Sequence, residues 1–145
     1  MSTDYTDLRT ISSARGKHDD LTERIIGVFF DVYNELGFGF LESVYREAMR
    51  VALEQMGLGV RVEVPVPVYF RGGVVGVFRA DLVVNDSVLV ELKSCEQLVK
   101  QHDSQTMHYL RATSLEVALL MNFGPSARFK RLVMDNELKK SRDKR

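Results

Sequence analysis

The chain opens with a polar stretch. Apolar residues first recur at helical spacing in Ile25, Phe29, Val32 and Leu36. Asp20-Leu-Thr-Glu23 reads as a capping box ahead of them, and Gly37 follows as a C-terminal cap, which predicts a helix over 21–36. A second stripe, Leu41, Val44, Tyr45, Ala48, Ala52 and Met56, predicts a helix over 41–56, ended by Gly57. The period then falls to two. Val60, Val62, Val64, Val66, Val68 and Phe70 alternate with mostly polar residues and two prolines, predicting a strand over 60–70 with one apolar face. Pro65 and Pro67 each remove a ladder donor, so this strand is expected at a sheet edge. Arg71-Gly72-Gly73 reads as a hairpin turn into a strand over 74–84, and Asn85-Asp86-Ser87 as a turn into a third strand over 88–93.

A helix is predicted over 101–112. The segment 115–123, built around the apolar run Val117–Met121, then reads as a central strand, Gly124-Pro125 as its end, and 127–134 as a last strand. The order is α-α-β-β-β-α-β-β. A helix between the third and fourth strands implies a right-handed crossover to a parallel neighbour. The expectation is an α/β domain over 19–134, with a mixed sheet flanked by helices, a flexible arm at 1–18 and a charged tail at 135–145.

Composition limits the function. A chain of 145 residues is the size of one domain and buries enough surface to fold without disulfides or structural metal. The single cysteine, Cys95, excludes an internal disulfide framework and a cysteine-rich zinc site. The N-terminus lacks the apolar core of a signal peptide, and the longest apolar run, Val117–Met121, is far too short for a membrane span. A reducing cytoplasm is the expected compartment. Twenty basic residues balance twenty acidic ones, which excludes tight coating of nucleic acid by a general positive field. Any phosphate contact must be local, with Arg46, Arg50, Arg79, Lys100 and Arg111 as candidates.

Several polar residues break the apolar pattern. Asp81 interrupts a hydrophobic strand, where an unpaired carboxylate is costly. Glu91 and Lys93 share one face of the next strand, opposite Val88, Val90 and Leu92. Taken singly, Asp81 reads as an ion-paired strand residue and Glu91–Lys93 as a solvated face. Glu42, in the first turn of the second helix, has the helix dipole as an ordinary explanation. Together they form an all-oxygen set suited to Mg²⁺ or Mn²⁺, with a lysine beside it, which is the chemistry of phosphodiester hydrolysis. Gln105 and Tyr109, four apart, share a face of the helix leaving that strand. Cys95 with His102 or His108 as a thiol catalyst has no fixed geometry in the sequence, and Cys95 reads better as an ordinary cysteine beside the sheet.

These residues resemble a family. Gly39-Phe-Leu-Glu42-Ser-Val-Tyr45 is similar to the G-x-x-E-x-x-Y signature of the GxxExxY proteins, which are placed in the PD-(D/E)XK nuclease superfamily. Asp81 followed by Glu91-Leu92-Lys93 resembles the superfamily's D…E-x-K core. Gln105-x-x-x-Tyr109 resembles the Q-x-x-x-Y motif of its exonuclease-like branch, and Asn122-Phe123-Gly124 the end of its last core strand. The resemblance implies a restriction-endonuclease-like αβββαβ core with an extra N-terminal helix. It implies Glu42, Asp81, Glu91 and the Leu92 carbonyl as metal ligands, Lys93 as the catalytic lysine, and Gln105 and Tyr109 as its support. The expected function is Mg²⁺- or Mn²⁺-dependent cleavage of DNA or RNA, with nucleic acid weakly bound. The alternative is a non-catalytic module of the same fold, or a subunit of a larger assembly, with a protein partner or a second copy as its contact.

Overall fold

The computed structural model describes residues 16–139. Its helices are α1 (Asp19–Leu36), α2 (Glu42–Gln55) and α3 (Lys100–Arg111). Its strands are β1 (Val60–Phe70), β2 (Gly73–Val84), β3 (Val88–Lys93), β4 (Val117–Phe123) and β5 (Ala127–Val133). They form one five-stranded sheet in the order β1-β2-β3-β4-β5. The β3–β4 pair, joined through α3, is parallel, and the other three pairs are antiparallel. The predicted parallel pairing across α3 and the edge position of the proline-bearing strand are both present.

The sheet is covered on both faces. Ile25, Phe29, Tyr45, Met49 and Leu53 from α1 and α2 pack with Val88, Val90, Leu92, Leu119 and Met121 on one side. On the other, Leu110 of α3 packs with Ala80, Leu89, Ala118 and Leu132. β4 is buried along its whole length because both layers sit on it, which explains its unbroken apolar run.

Two expectations are corrected. No side chain caps α1, which starts ahead of Asp20 with His18 at its N-cap. Asp19 and Asp20 lie in its first turn, where the dipole favours them. The β1 strand does not keep one apolar face. Val60 packs with the α1–α2 layer and Val64 with the α3 layer, although alternation alone would put both on one side. The same reversal occurs on β2 between Ala80 and Leu82. The turning points are Glu63, which has φ 48°, and Asp81, in a register running from Val62↔Leu82 to Val64↔Ala80.

Only Leu82–Val84 of β2 pair with β3, so the rest of the β1–β2 hairpin projects past the sheet. Val68, Phe70, Val74, Val75 and Val77 are consequently exposed. The chain on either side of the domain is tied down where it is described. Lys17 pairs with Glu116 at 3.2 Å, and Lys139 is buried, donating to the Thr113 and Leu115 carbonyls. The rest of the expected arm and tail lies outside the described residues.

Candidate active site

The β2–β3 ladder stops at Leu82↔Val90, and the next two residues, Asp81 and Glu91, continue it with side chains. The Asp81 N–H donates to Glu91 Oε2 at 3.2 Å, and the Leu92 N–H donates to Asp81 Oδ2 at 2.8 Å. Two carboxylates are thus locked beside each other where the strands part. Glu91 lies on the α3 face with Leu89 and is only 6% exposed, which corrects the reading of that face as solvated. Burial, and then the Asp81 charge, push its carboxyl up to about 8, against a smaller opposing pull from Lys93. Asp81 has a cation: Arg46 Nη1 stands 3.3 Å from its Oδ1, while Arg46 Nη2 stands 2.7 Å from Glu63.

The α3 helix covers this pair. Tyr109 stacks on Phe78 with ring centroids 3.6 Å apart. Its phenol is raised by burial and then by the Glu91 and Asp81 charges, with a Gln105 side-chain hydrogen bond opposing. Gln105 thus hydrogen-bonds Tyr109, whose phenol lies within reach of the Asp81 and Glu91 charges, and Lys93 lies within reach of Glu91 in the same way.

Glu42 stands apart, at the end of β3. Its Oε2 accepts the Ser94 N–H at 3.2 Å, and the Ser94 hydroxyl donates to the Phe40 carbonyl at 2.8 Å. The signature tyrosine serves this loop. Tyr45 is fully buried, stacked on Phe123 at 4.0 Å, and its hydroxyl donates to the Gly37 carbonyl and accepts the Phe40 N–H. The G-x-x-E-x-x-Y spacing thereby fixes the α1–α2 connection that presents Glu42.

His102 completes this corner. Its Nδ1 accepts the Val99 N–H at 3.0 Å. Burial, then Lys93, lower its imidazole, while Asp103 and Glu42 act the other way. Its place near both Lys93 and Glu42 was not evident from spacing. The available signal was its position in the first turn of the helix that follows Lys93.

Cys95 is structural. Its N–H donates to Asn122 Oδ1 and its carbonyl accepts from Asn122 Nδ2, both at 3.0 Å. A Cβ on Gly124 would sit 2.4 Å from the same carbonyl, so only glycine fits there. Replacing Asn122 by alanine leaves both Cys95 backbone groups without their partner. It is expected to cost about 2–4 kcal/mol, read as a drop in the urea midpoint at unchanged slope. Unaltered stability would mean that the pair does not hold the chain after Lys93.

Arg46 and Arg50 are corrected as phosphate contacts. Arg46 is spent on Asp81 and Glu63, and Arg50 on Glu47 and Glu54. Arg79, Lys100 and Arg111 remain exposed.

The donor chemistry suits a hard divalent cation, which binds through one or two carboxylates with water completing its shell. Asp81 and Glu91 are the two residues of this site that could supply those carboxylates. Among the described residues, no three carboxylate, imidazole or thiol groups stand close enough together to hold an ion, and Glu42 accepts the Ser94 N–H.

A family model described as the PD-(D/E)XK nuclease superfamily matches residues 19–132. The chain belongs to the PD-(D/E)XK nuclease superfamily. The match takes in all three α-helices and every strand but the last residue of β5. Among solved structures, that of SSO0001 is 18% identical with a TM-score of 0.51, covering 64% of this chain and 50% of that one. An alkaline exonuclease (LHK-Exo) from Laribacter hongkongensis is 12% identical with a TM-score of 0.41, covering 70% of this chain and 60% of that one. The chain thus spans about half the length of SSO0001, and the likeness to it is one of fold. Comparison with curated proteins gave no match. Among the described residues, no helix is long and apolar enough to cross a membrane.

Proposed function

We propose that this protein is a divalent-metal-dependent nuclease of the GxxExxY branch, hydrolysing phosphodiester bonds of DNA or RNA in the cytoplasm. The observation that carries the reading is the buried Glu91 carboxylate, raised to about 8, with Asp81 against it and Lys93 two residues on. A carboxylate pair held in this state at the end of a strand is a poor structural device and a good cation trap.

Asp81 and Glu91, with the Leu92 carbonyl between Glu91 and Lys93, would hold Mg²⁺ or Mn²⁺, and Glu42, apart from them at the end of β3, would be a further ligand only on moving toward the pair. The ion, when bound, would offset phosphate charge and make water more acidic. The protein's own groups divide the remaining work. Lys93 places an ammonium against the phosphate oxygens, where negative charge grows as water attacks phosphorus. The water's proton passes to solvent or a neighbouring base. The P–O bond to the sugar breaks, and the departing oxygen takes up a proton. Gln105 and Tyr109 present an amide and a phenol toward the same place. With no general positive field, substrate contact rests on Arg79, Lys100 and Arg111, and binding is expected to be weak and salt-sensitive.

The test is cleavage of single- and double-stranded DNA and RNA with Mg²⁺ or Mn²⁺, beside calorimetric titration of Mn²⁺. Wild type should bind Mn²⁺ and cleave at least one substrate, and Asp81→Asn should lose both. Absence of Mn²⁺ binding even with nucleic acid present would favour a non-catalytic module of the same fold.

A further inference from the structure

Away from the carboxylate site, α1 and α2 enclose an apolar groove of about 870 Å³. Val44 and Val51 of α2, Met56 just after it and Leu36 of α1 line it, each about two-fifths exposed. Ala48 and Ala52 also line it, and such small side chains let another backbone approach closely. From Val44 to Met56 the groove follows α2 for roughly 18 Å, the length of about three helical turns.

Its charge is one-sided. Asp31, Glu35 and Glu47 line it, and no lysine, arginine or histidine does. Glu47 is held by Arg50, whereas Asp31 and Glu35 have no cation partner among the described residues. Both positions oppose helix stability. Two like charges four residues apart repel, and Glu35 lies in the last turn of α1, which carries no basic residue to answer the dipole. Among the described residues, no basic side chain pairs with either carboxylate.

We propose that the α1–α2 groove is a docking site for an amphipathic helix of a partner protein, with its apolar stripe on Val44, Val51 and Met56 and its lysines or arginines against Asp31 and Glu35. Helix-in-groove recognition needs this pairing of an apolar trough with a charged border. A second copy of the chain fits badly, because a twofold contact through this groove would bring carboxylates near carboxylates. The basic C-terminal segment beyond Lys139 fits badly too. It has no apolar residue, and it leaves from Lys139, anchored beside Leu115 in the α3 layer on the other side of the sheet. Ser43 lines one end of the groove and adjoins Glu42, so a docked helix ends near the candidate site without using it.

A fluorescein-labelled synthetic amphipathic helix, with a leucine stripe flanked by lysines, tests this by anisotropy on the full chain. Saturable binding is expected. Asp31→Lys with Glu35→Lys should weaken it about tenfold or more. The same peptide with glutamate in place of lysine should bind that double variant better than wild type. Val51→Asp, with native circular dichroism, should abolish binding of the lysine peptide. Absence of saturable binding, equal affinity for wild type and the charge-reversed variant, or failure of the glutamate peptide to reverse the preference would overturn the proposal. So would sedimentation showing a wild-type dimer that Val51→Asp dissociates, since that assigns the groove to a second copy.

Discussion

Replacing Lys93 by alanine is expected to lower metal-dependent cleavage by roughly 10²–10³-fold, the usual cost of removing a group that offsets transition-state charge. The effect should fall on turnover and leave Mn²⁺ affinity nearly intact, because the ammonium is not an oxygen donor. Lys93 is half-buried on the last position of β3, paired in register with Asn122, and its charge reaches both Glu91 and His102. Lys93→Met keeps most of the packed stem and should be as inactive as Lys93→Ala, which separates the charge from the packing. Cleavage by both variants at the wild-type rate would remove Lys93 from the reaction.

Glu91→Gln is expected to change stability more than any other single substitution at the site. The Glu91 carboxyl is raised from 4.5 to about 8 in the folded chain. Below the unfolded value both states hold the proton and nothing is lost. Between about 4.5 and 8 the native state keeps a proton that the unfolded chain has released, so stability falls as pH rises; above that window the full cost of a buried, repelled carboxylate is present. In EDTA the wild type should therefore weaken steadily across this range. Glutamine, which can still accept the Asp81 N–H, should flatten the profile and gain about 2–4 kcal/mol near pH 8.5. Mg²⁺ should stabilise the wild type there and not the variant. Urea unfolding at pH 5 and pH 8.5 checks this, and parallel pH profiles for the two proteins would refute it. Asp81→Asn is the less clean experiment, because it also releases Arg46.

The helices and the strand order were legible because burial imposes a period on the sequence. The α2 stripe runs into Gly57, whose φ of 83° suits glycine, and β4 stands out because both layers cover it. What escaped was set by contacts distant in sequence. The face reversal at Glu63 and Asp81 leaves the even spacing of valines untouched, so β1 reads as a simple amphipathic strand. Asp81 could be singled out, since a carboxylate in an apolar strand is costly, and Glu91 and Lys93 stood out only beside it. Their arrangement could not, because the Asp81–Glu91 hydrogen bond depends on where the ladder ends. Arg46 looked like a free cation for the same reason: its partners lie 17 and 35 residues away. His102 and Asn122 act through a loop whose path no local spacing encodes.

The overhanging β1–β2 hairpin bears on how the protein behaves in solution. Its exposed valines and Phe70 offer a sticky surface, and the chain's zero net charge near neutrality supplies no long-range repulsion to keep molecules apart. Pro65 and Pro67 interrupt the outer edge of β1, so sheets cannot extend one another there by continuous strand pairing. Contacts between hairpins are therefore made by side chains and stay shallow. The protein should be least soluble near its isoelectric point of about 6.8, and should form reversible clusters there in preference to fibres.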